Sequence, residues 1–258
     1  MATAVRMLKS RASWSVPVAC FAALLSSCNA SSCNGPVEGT RSSLIVLVDY
    51  SKSFAPLGPE DRPALQAVTQ IVRKLANERL EQPVKILWSI IGNESLRPLQ
   101  PCGPAKSFTL KLTGRTSGTG DQELISQPEL KDWLETCTDA VASLSQNNVQ
   151  EFTDISGAVA FAAANGESVQ TDRLLVIFSD FIEDLPPKHT ATPFTLHGER
   201  VMMLWRPGSQ DHQAPSAMMH RLEDWRARFT AAGAKATCTR PVLGLSADDV
   251  PPCLWPTQ

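Results

Sequence analysis

From Leu44 onward the chain alternates short, unbroken apolar runs with longer segments in which apolar residues recur every three or four positions. LIVLVDY (44–50) is continuous and β-branched, as a strand covered on both faces should be. Leu65, Val68, Val72 and Leu75 then repeat at helical spacing, and VKILWSII (84–91) reads as a second buried strand. SFTLKLT (107–113) sets Phe108, Leu110 and Leu112 against polar neighbours, the pattern of an edge strand. Between these two strands lies NESLRPLQPCGPAK, whose prolines and glycine permit a direct, hairpin-like return in place of a helical crossover.

Helical spacing resumes with Leu130, Trp133, Leu134, Cys137, Val141 and Leu144 and is followed by the small-residue segment ISGAVAFAAA. RLLVIFSDF supplies the next buried strand, ERVMMLWR (199–206) a fifth and AKATCTR a last one, with Met218, Leu222, Trp225 and Phe229 marking a helix between the final two. Strands alternating with helices predict an α/β fold: a doubly wound, mostly parallel central sheet with one antiparallel edge strand and helices on both faces. The folded domain is expected over 42–240, and residues 241–258, with four prolines, as a C-terminal tail.

The amino-terminal stretch is different in kind. Arg6, Lys9 and Arg11 precede an apolar run from Val16 to Leu25, with no acid before residue 28. That is the n-region and h-region of a signal peptide (1–27), too short to span a bilayer as a permanent helix. Leu25-Ser26-Ser27-Cys28 resembles the bacterial lipobox, which implies a lipid on Cys28, a lipid-anchored mature protein and a place in the bacterial cell envelope, on the periplasmic or surface side. Residues 28–41, small and polar with a Gly-Pro break, read as a flexible tether. Loss of the signal leaves 21 cations against 26 acids, a net charge of about −5. Neither nucleic acid nor an acidic membrane surface suits such a chain.

Export also governs the cysteines, because disulfides persist outside the reducing cytosol. With Cys20 removed and Cys28 lipidated, Cys33, Cys102, Cys137, Cys238 and Cys253 remain, an odd number that leaves at least one unpaired. The expected pairs are Cys238 with Cys253 and Cys102 with Cys137. No CxxC occurs and no histidine stands at zinc-site spacing from them.

In doubly wound sheets ligands sit beyond the carboxyl ends of the strands, where strand order reverses. The first strand ends in Asp49-Tyr50-Ser51-Lys52-Ser53, the fourth in Ser179-Asp180, and Thr153-Asp154 opens a helix upstream of that strand. Taken singly, each has an ordinary structural use: Asp49 and Ser51 as a turn, Thr153 or Asp154 as a helix cap, Asp180 as a strand-end turn. Together, Asp49-x-Ser51-x-Ser53 after an apolar strand, a later Thr153, and Asp180 after another strand resemble the metal-ion-dependent adhesion site of the von Willebrand factor A (VWA) family. The resemblance runs over about residues 42–240 in element order. It implies that Ser51 and Ser53 ligate a divalent cation through their hydroxyls, Thr153 in one state of the site, and Asp49 and Asp180 directly or through water. The cation would be Mg²⁺, or Mn²⁺ or Ca²⁺, with one position left for a carboxylate of a protein partner. Phe181 stands where many members carry glycine, which predicts a differently shaped loop there.

Elementary chemistry points the same way. Hard cations take oxygen ligands, and hydroxyls coordinate without adding charge, so a site with two carboxylates is about neutral when filled. Glu183 and Asp184 add acids just beyond it, either as a solvated loop or as groups that tune the site or its partner. PPKHTATPFTLHG is expected to emerge from the same sheet edge and to carry specificity, with His189 and His197 at the surface. An aspartyl-phosphate hydrolase would need a second acid where Ser51 stands. A serine hydrolase would need a G-x-S-x-G elbow, and GRTSGTGD (114–121) is no P-loop but a flexible connection. The remaining alternative to a non-enzymatic, cation-dependent binding module is a scaffold of the same fold that binds without metal.

Overall fold

The computed structural model describes residues 42–54, 62–77, 84–93, 100–103, 106–108, 126–144, 150–165, 172–208 and 211–242. The expected signal peptide, the tether with Cys28, the connection 114–121, Cys253 and residues 243–258 of the tail lie outside the described residues. In chain order the elements are β1 (Ser42–Asp49), α1 (Arg62–Asn77), β2 (Val84–Ile91), β3 (Lys106–Phe108), α2 (Ser126–Leu144), α3 (Ile155–Asn165), β4 (Asp172–Ser179), β5 (Arg200–Trp205), α4 (Pro215–Ala231) and β6 (Ala236–Pro241). No helix among the described residues is long and apolar enough to cross a membrane.

The strands form one sheet in the order β3-β2-β1-β4-β5-β6. Five run parallel, and β3 pairs antiparallel with β2, Val84 opposite Phe108. Of the predicted edge strand (107–113) only Ser107 and Phe108 fall among the described residues, in β3, which begins one residue earlier at Lys106. β1 starts two residues before the apolar run because Ser42 and Ser43 pair with Val84 and Lys85 and are buried.

Both faces of β1 are covered, which is why its sequence shows no polar alternation. Leu44, Val46 and Val48 face one core with α1 and α2, where Leu65, Val68, Val72, Leu75, Leu130, Leu134 and Val141 meet Trp88, Val176 and Phe178. Ile45 and Leu47 face the other, built from Ile155, Val159 and Ala162 of α3 and Met218, Leu222, Trp225 and Phe229 of α4. Each such aliphatic side chain contributes about 1.5–3 kcal/mol on burial. Cys102, in the turn before β3, is disulfide-bonded to Cys137 of α2. Cys238 is disulfide-bonded as well.

The β4–β5 connection departs from the helical crossover pattern. Residues 180–199 contain no helix. They leave the carboxyl edge of β4, where Asp184 pairs with Thr153, and end at the amino edge of β5, where Leu196 N–H donates to Ala232 O and Gly198 N–H to Gly233 O. Phe194 packs on Phe229 at 5.8 Å along the way. PPKHTATPFTLHG emerges from the carboxyl edge, just after Asp184, and then runs across to the amino edge, because a parallel successor strand must begin there. His189 and His197 are exposed.

Candidate functional site

Strand order reverses between β1 and β4, the two central neighbours, whose last paired residues are Val48 and Phe178. Asp49 and Asp180 thus leave adjacent strand ends and point the chain into two turns at the switch point, at the carboxyl edge. A third segment, Gln150–Asp154, lies beside them: Gln150 N–H donates to Tyr50 O at 3.0 Å and Lys52 N–H to Gln150 O at 2.8 Å. On its other side Thr153 N–H donates to Asp184 O at 2.6 Å and Asp184 N–H to Thr153 O at 3.0 Å. The backbone alone therefore brings the Asp49–Ser53 turn, Thr153 and the Asp180–Asp184 turn together.

Each predicted residue is buried except Ser53, which is partly exposed. Asp49 accepts the Ser51 N–H on Oδ1 at 2.9 Å and the Ser179 hydroxyl on Oδ2. The Ser51 and Ser53 hydroxyls lie 3.0 Å apart. Asp180 accepts the Ile182 N–H on Oδ1 at 2.9 Å, whereas its Oδ2 is buried with no hydrogen-bond partner. Thr153 and Asp154, alternatives as caps in the sequence, divide the work: Asp154 Oδ1 caps α3 by accepting Gly157 N–H at 2.7 Å. Gly157 must lack a side chain, since a Cβ there would stand 2.0 Å from Asp154 Oδ2.

Electrostatics follow from this burial. Asp49 is pushed up to about 7, first by loss of water and then by the negative charge of Asp180, against the opposing bonds from Ser179 and Ser51. Asp180 is also raised, chiefly by burial, and is held back by the Ile182 N–H, the Ser53 hydroxyl and the Arg221 guanidinium. Two buried acids that share a site and leave one oxygen without a partner are costly unless a cation or a proton is supplied. Among the described residues no three His, Cys, Asp or Glu side chains group as a metal site. A cation here would rest on two carboxylates and neutral hydroxyls, an all-oxygen donor set of the kind hard divalent ions take. The chemistry of the residues present fits such an ion, and Asp49, Ser51, Ser53, Thr153 and Asp180 are the ones that would hold it.

The structure gives definite roles to neighbours that the sequence marked without assigning as ligands. Ser179 donates to Asp49 and accepts the Phe181 N–H at 2.7 Å, tying the two strand ends together. Its position as the last strand residue beside Asp180 was the available signal. Phe181 adopts φ 59°, in the left-handed region that glycine favours. A conformation costing about 1–2 kcal/mol is held by the buried ring, which lies against Trp225, and by the Trp225 indole N–H, which donates to the Phe181 carbonyl at 3.0 Å. The turn is thus one that glycine could also make, with an aromatic anchor in its place. Glu183, expected as a solvated acid, accepts the Ser156 N–H at 2.7 Å and pairs with Arg228 at 3.2 Å, so it braces α3 against α4. Asp184 is exposed and contributes its backbone to Thr153.

No protein-family profile matches the chain, and no curated protein does. Among solved structures, it is similar to the conserved hypothetical protein BatB from Bacteroides thetaiotaomicron at 11% identity and TM-score 0.40, covering 78% of this chain and 90% of that one. An aerotolerance-related membrane protein from Bacteroides fragilis is similar at 13% identity and TM-score 0.38, over 77% and 91% of the two chains. The three N-terminal domains of the type V pili tip protein Mfa5 from Porphyromonas gingivalis are similar at 16% identity and TM-score 0.35, over 59% of this chain. The chain spans only 22% of the length of that three-domain chain. At these identities and TM-scores the likenesses assign neither a family nor an activity.

Proposed function

We propose that this chain is a non-enzymatic binding module of the VWA type, which holds a divalent cation at its carboxyl edge and through it binds a carboxylate on a protein partner in the bacterial cell envelope. The observation that carries the proposal is the buried Asp180 Oδ2, without a hydrogen-bond partner in a site that already contains Asp49, Ser51 and Ser53. A bound divalent ion supplies a Lewis-acid position open to one more anionic oxygen. Asp49 and Asp180 neutralise its charge, the Ser51 and Ser53 hydroxyls add donors without charge, and Thr153 stands at the neighbouring segment. Ser179 keeps Asp49 oriented, so the site is formed before any partner arrives.

Mg²⁺ at a hundred times its dissociation constant should stabilise the protein by about 2.7 kcal/mol, visible as a rise in melting temperature. Asp49→Ala should abolish that rise, Asp180→Asn should weaken it without unfolding the sheet, and Lys52→Ala, on the exposed residue between the two serines, should leave it intact. Calorimetric titration with Mg²⁺, Mn²⁺ and Ca²⁺ that finds no saturable binding to the wild type would rule the proposal out.

The lipid anchor at Cys28 is a separate proposal that rests on Leu25-Ser26-Ser27-Cys28. Membrane fractionation should find a Cys28→Ser chain either released or carrying an uncleaved signal. Recovery of that variant in the membrane with its signal removed would refute the anchor.

A further inference from the structure

We propose that Arg221 and Gly208 are positioning residues of the carboxyl-edge site, which fix Asp180 so that its Oδ2 stays turned to a ligand; the proposal rests on the cation reading above. Asp180 is held from three directions. Its Oδ1 accepts the Ile182 N–H at 2.9 Å, its backbone carbonyl accepts Nε of Arg221 at 2.9 Å, and its Oδ2 abuts Gly208. A Cβ built on Gly208 would stand 2.7 Å from that oxygen and 3.4 Å from Cβ and Cγ of Asp180. The φ of Gly208 lies outside the left-handed region, so the missing side chain serves clearance and not backbone freedom.

Gly208 is kept at this distance by the same arginine. Its N–H donates to Oδ2 of Asp211 at 2.8 Å, and Asp211, buried, receives Nη2 of Arg221 on both oxygens at 2.8 Å. One side chain from α4 thereby grips both the Asp180 backbone and the turn that closes over its carboxylate. Lysine could not do this, because its single ammonium lacks the fork that reaches two partners in fixed directions. A turn that served stability alone would aim a donor at a buried carboxylate oxygen. Here the one N–H that Gly208 possesses is directed to Asp211, and Asp180 Oδ2 is left without a hydrogen bond.

The test uses the full chain, titrated separately with MgCl₂ and CaCl₂, with melting in chelator recorded for each variant. Arg221→Lys should lower Mg²⁺ affinity by about ten- to a hundredfold, as outer residues around a metal do, while melting in chelator changes little. Gly208→Ala should lower affinity for Ca²⁺ more than for Mg²⁺, since Ca²⁺ takes more and longer bonds, bidentate carboxylates included. Arg226→Lys, on the exposed face of α4, should bind as the wild type does. Wild-type affinity and ion preference in both Arg221→Lys and Gly208→Ala would overturn the proposal while leaving the cation reading intact. So would losses of affinity that merely track lost stability in chelator. A wild-type chain that takes neither ion overturns the cation reading and this proposal with it. If Gly208→Ala does not fold, Arg221→Lys decides, because it leaves the turn's backbone unchanged.

Discussion

Asp49 is the residue at which stability and the proposed cation binding would pull in opposite directions. Its carboxyl has an ordinary value of 3.8 and is pushed up to about 7 by burial and by Asp180, so between those two values the folded chain holds a proton that the unfolded chain has released. Stability in chelator from this group is therefore complete below about pH 4 and is lost as pH rises through about 7. A divalent cation needs the charged carboxylate, so the stabilisation by Mg²⁺ should grow over the upper part of that range. Thermal melting from pH 5 to 8 with and without chelator checks both slopes. Asp49→Asn should flatten the chelator curve, and an unchanged curve in that variant would refute the assignment. Asp49, Ser51, Ser53, Thr153 and Asp180 were legible because each stands at a strand end or a helix start that the hydrophobic pattern itself marks. Arg221, Asp211 and Gly208 were not, since the contacts that matter join a helix face to a turn and leave no periodic trace in sequence.

At the scale of elements, α2 is attached to the rest of the molecule by two different means. Leu130, Leu134 and Val141 pack into the core beside α1, and Cys137 is bonded to Cys102 across a sequence separation of 35 residues. Closing a loop of that size contributes about 4 kcal/mol on chain-entropy reasoning. Cys102→Ser should accordingly lower the unfolding free energy by an amount of that order in urea titration, leaving Cys137 as a small buried apolar group. A loss well under about 1 kcal/mol would show that the unfolded chain is already compact there. The elements with unbroken apolar runs were the easiest to read: VKILWSII is β2 to the residue. The β4–β5 connection was harder, because its spaced Phe194 and Leu196 pack against the end of α4 and beyond without either strand or helix periodicity.

For the molecule as a whole, the order of strands and helices was enough to yield the doubly wound sheet, the antiparallel β3 and the edge at which the acids meet. Handedness and short connections leave few other ways to arrange such a string of elements. What order cannot convey is which crossover lacks a helix, since nothing in the pairing of β4 with β5 demands one. That helix-free crossover has a consequence for the time scale on which its backbone opens. Among the described residues its regular backbone bonds to other segments are at its ends, at Thr153 on one side and at Ala232, Gly233 and Lys235 on the other. Local opening of the stretch between therefore breaks few hydrogen bonds, whereas opening β4 or β5 disrupts the centre of the sheet. Amide hydrogen exchange followed by mass spectrometry should find peptides within 188–195 fully deuterated long before those spanning β4 and β5, with the amides of Asp184 and Leu196 as slow boundaries. Uniform protection from 172 to 205 would mean that the crossover opens only together with the strands it joins.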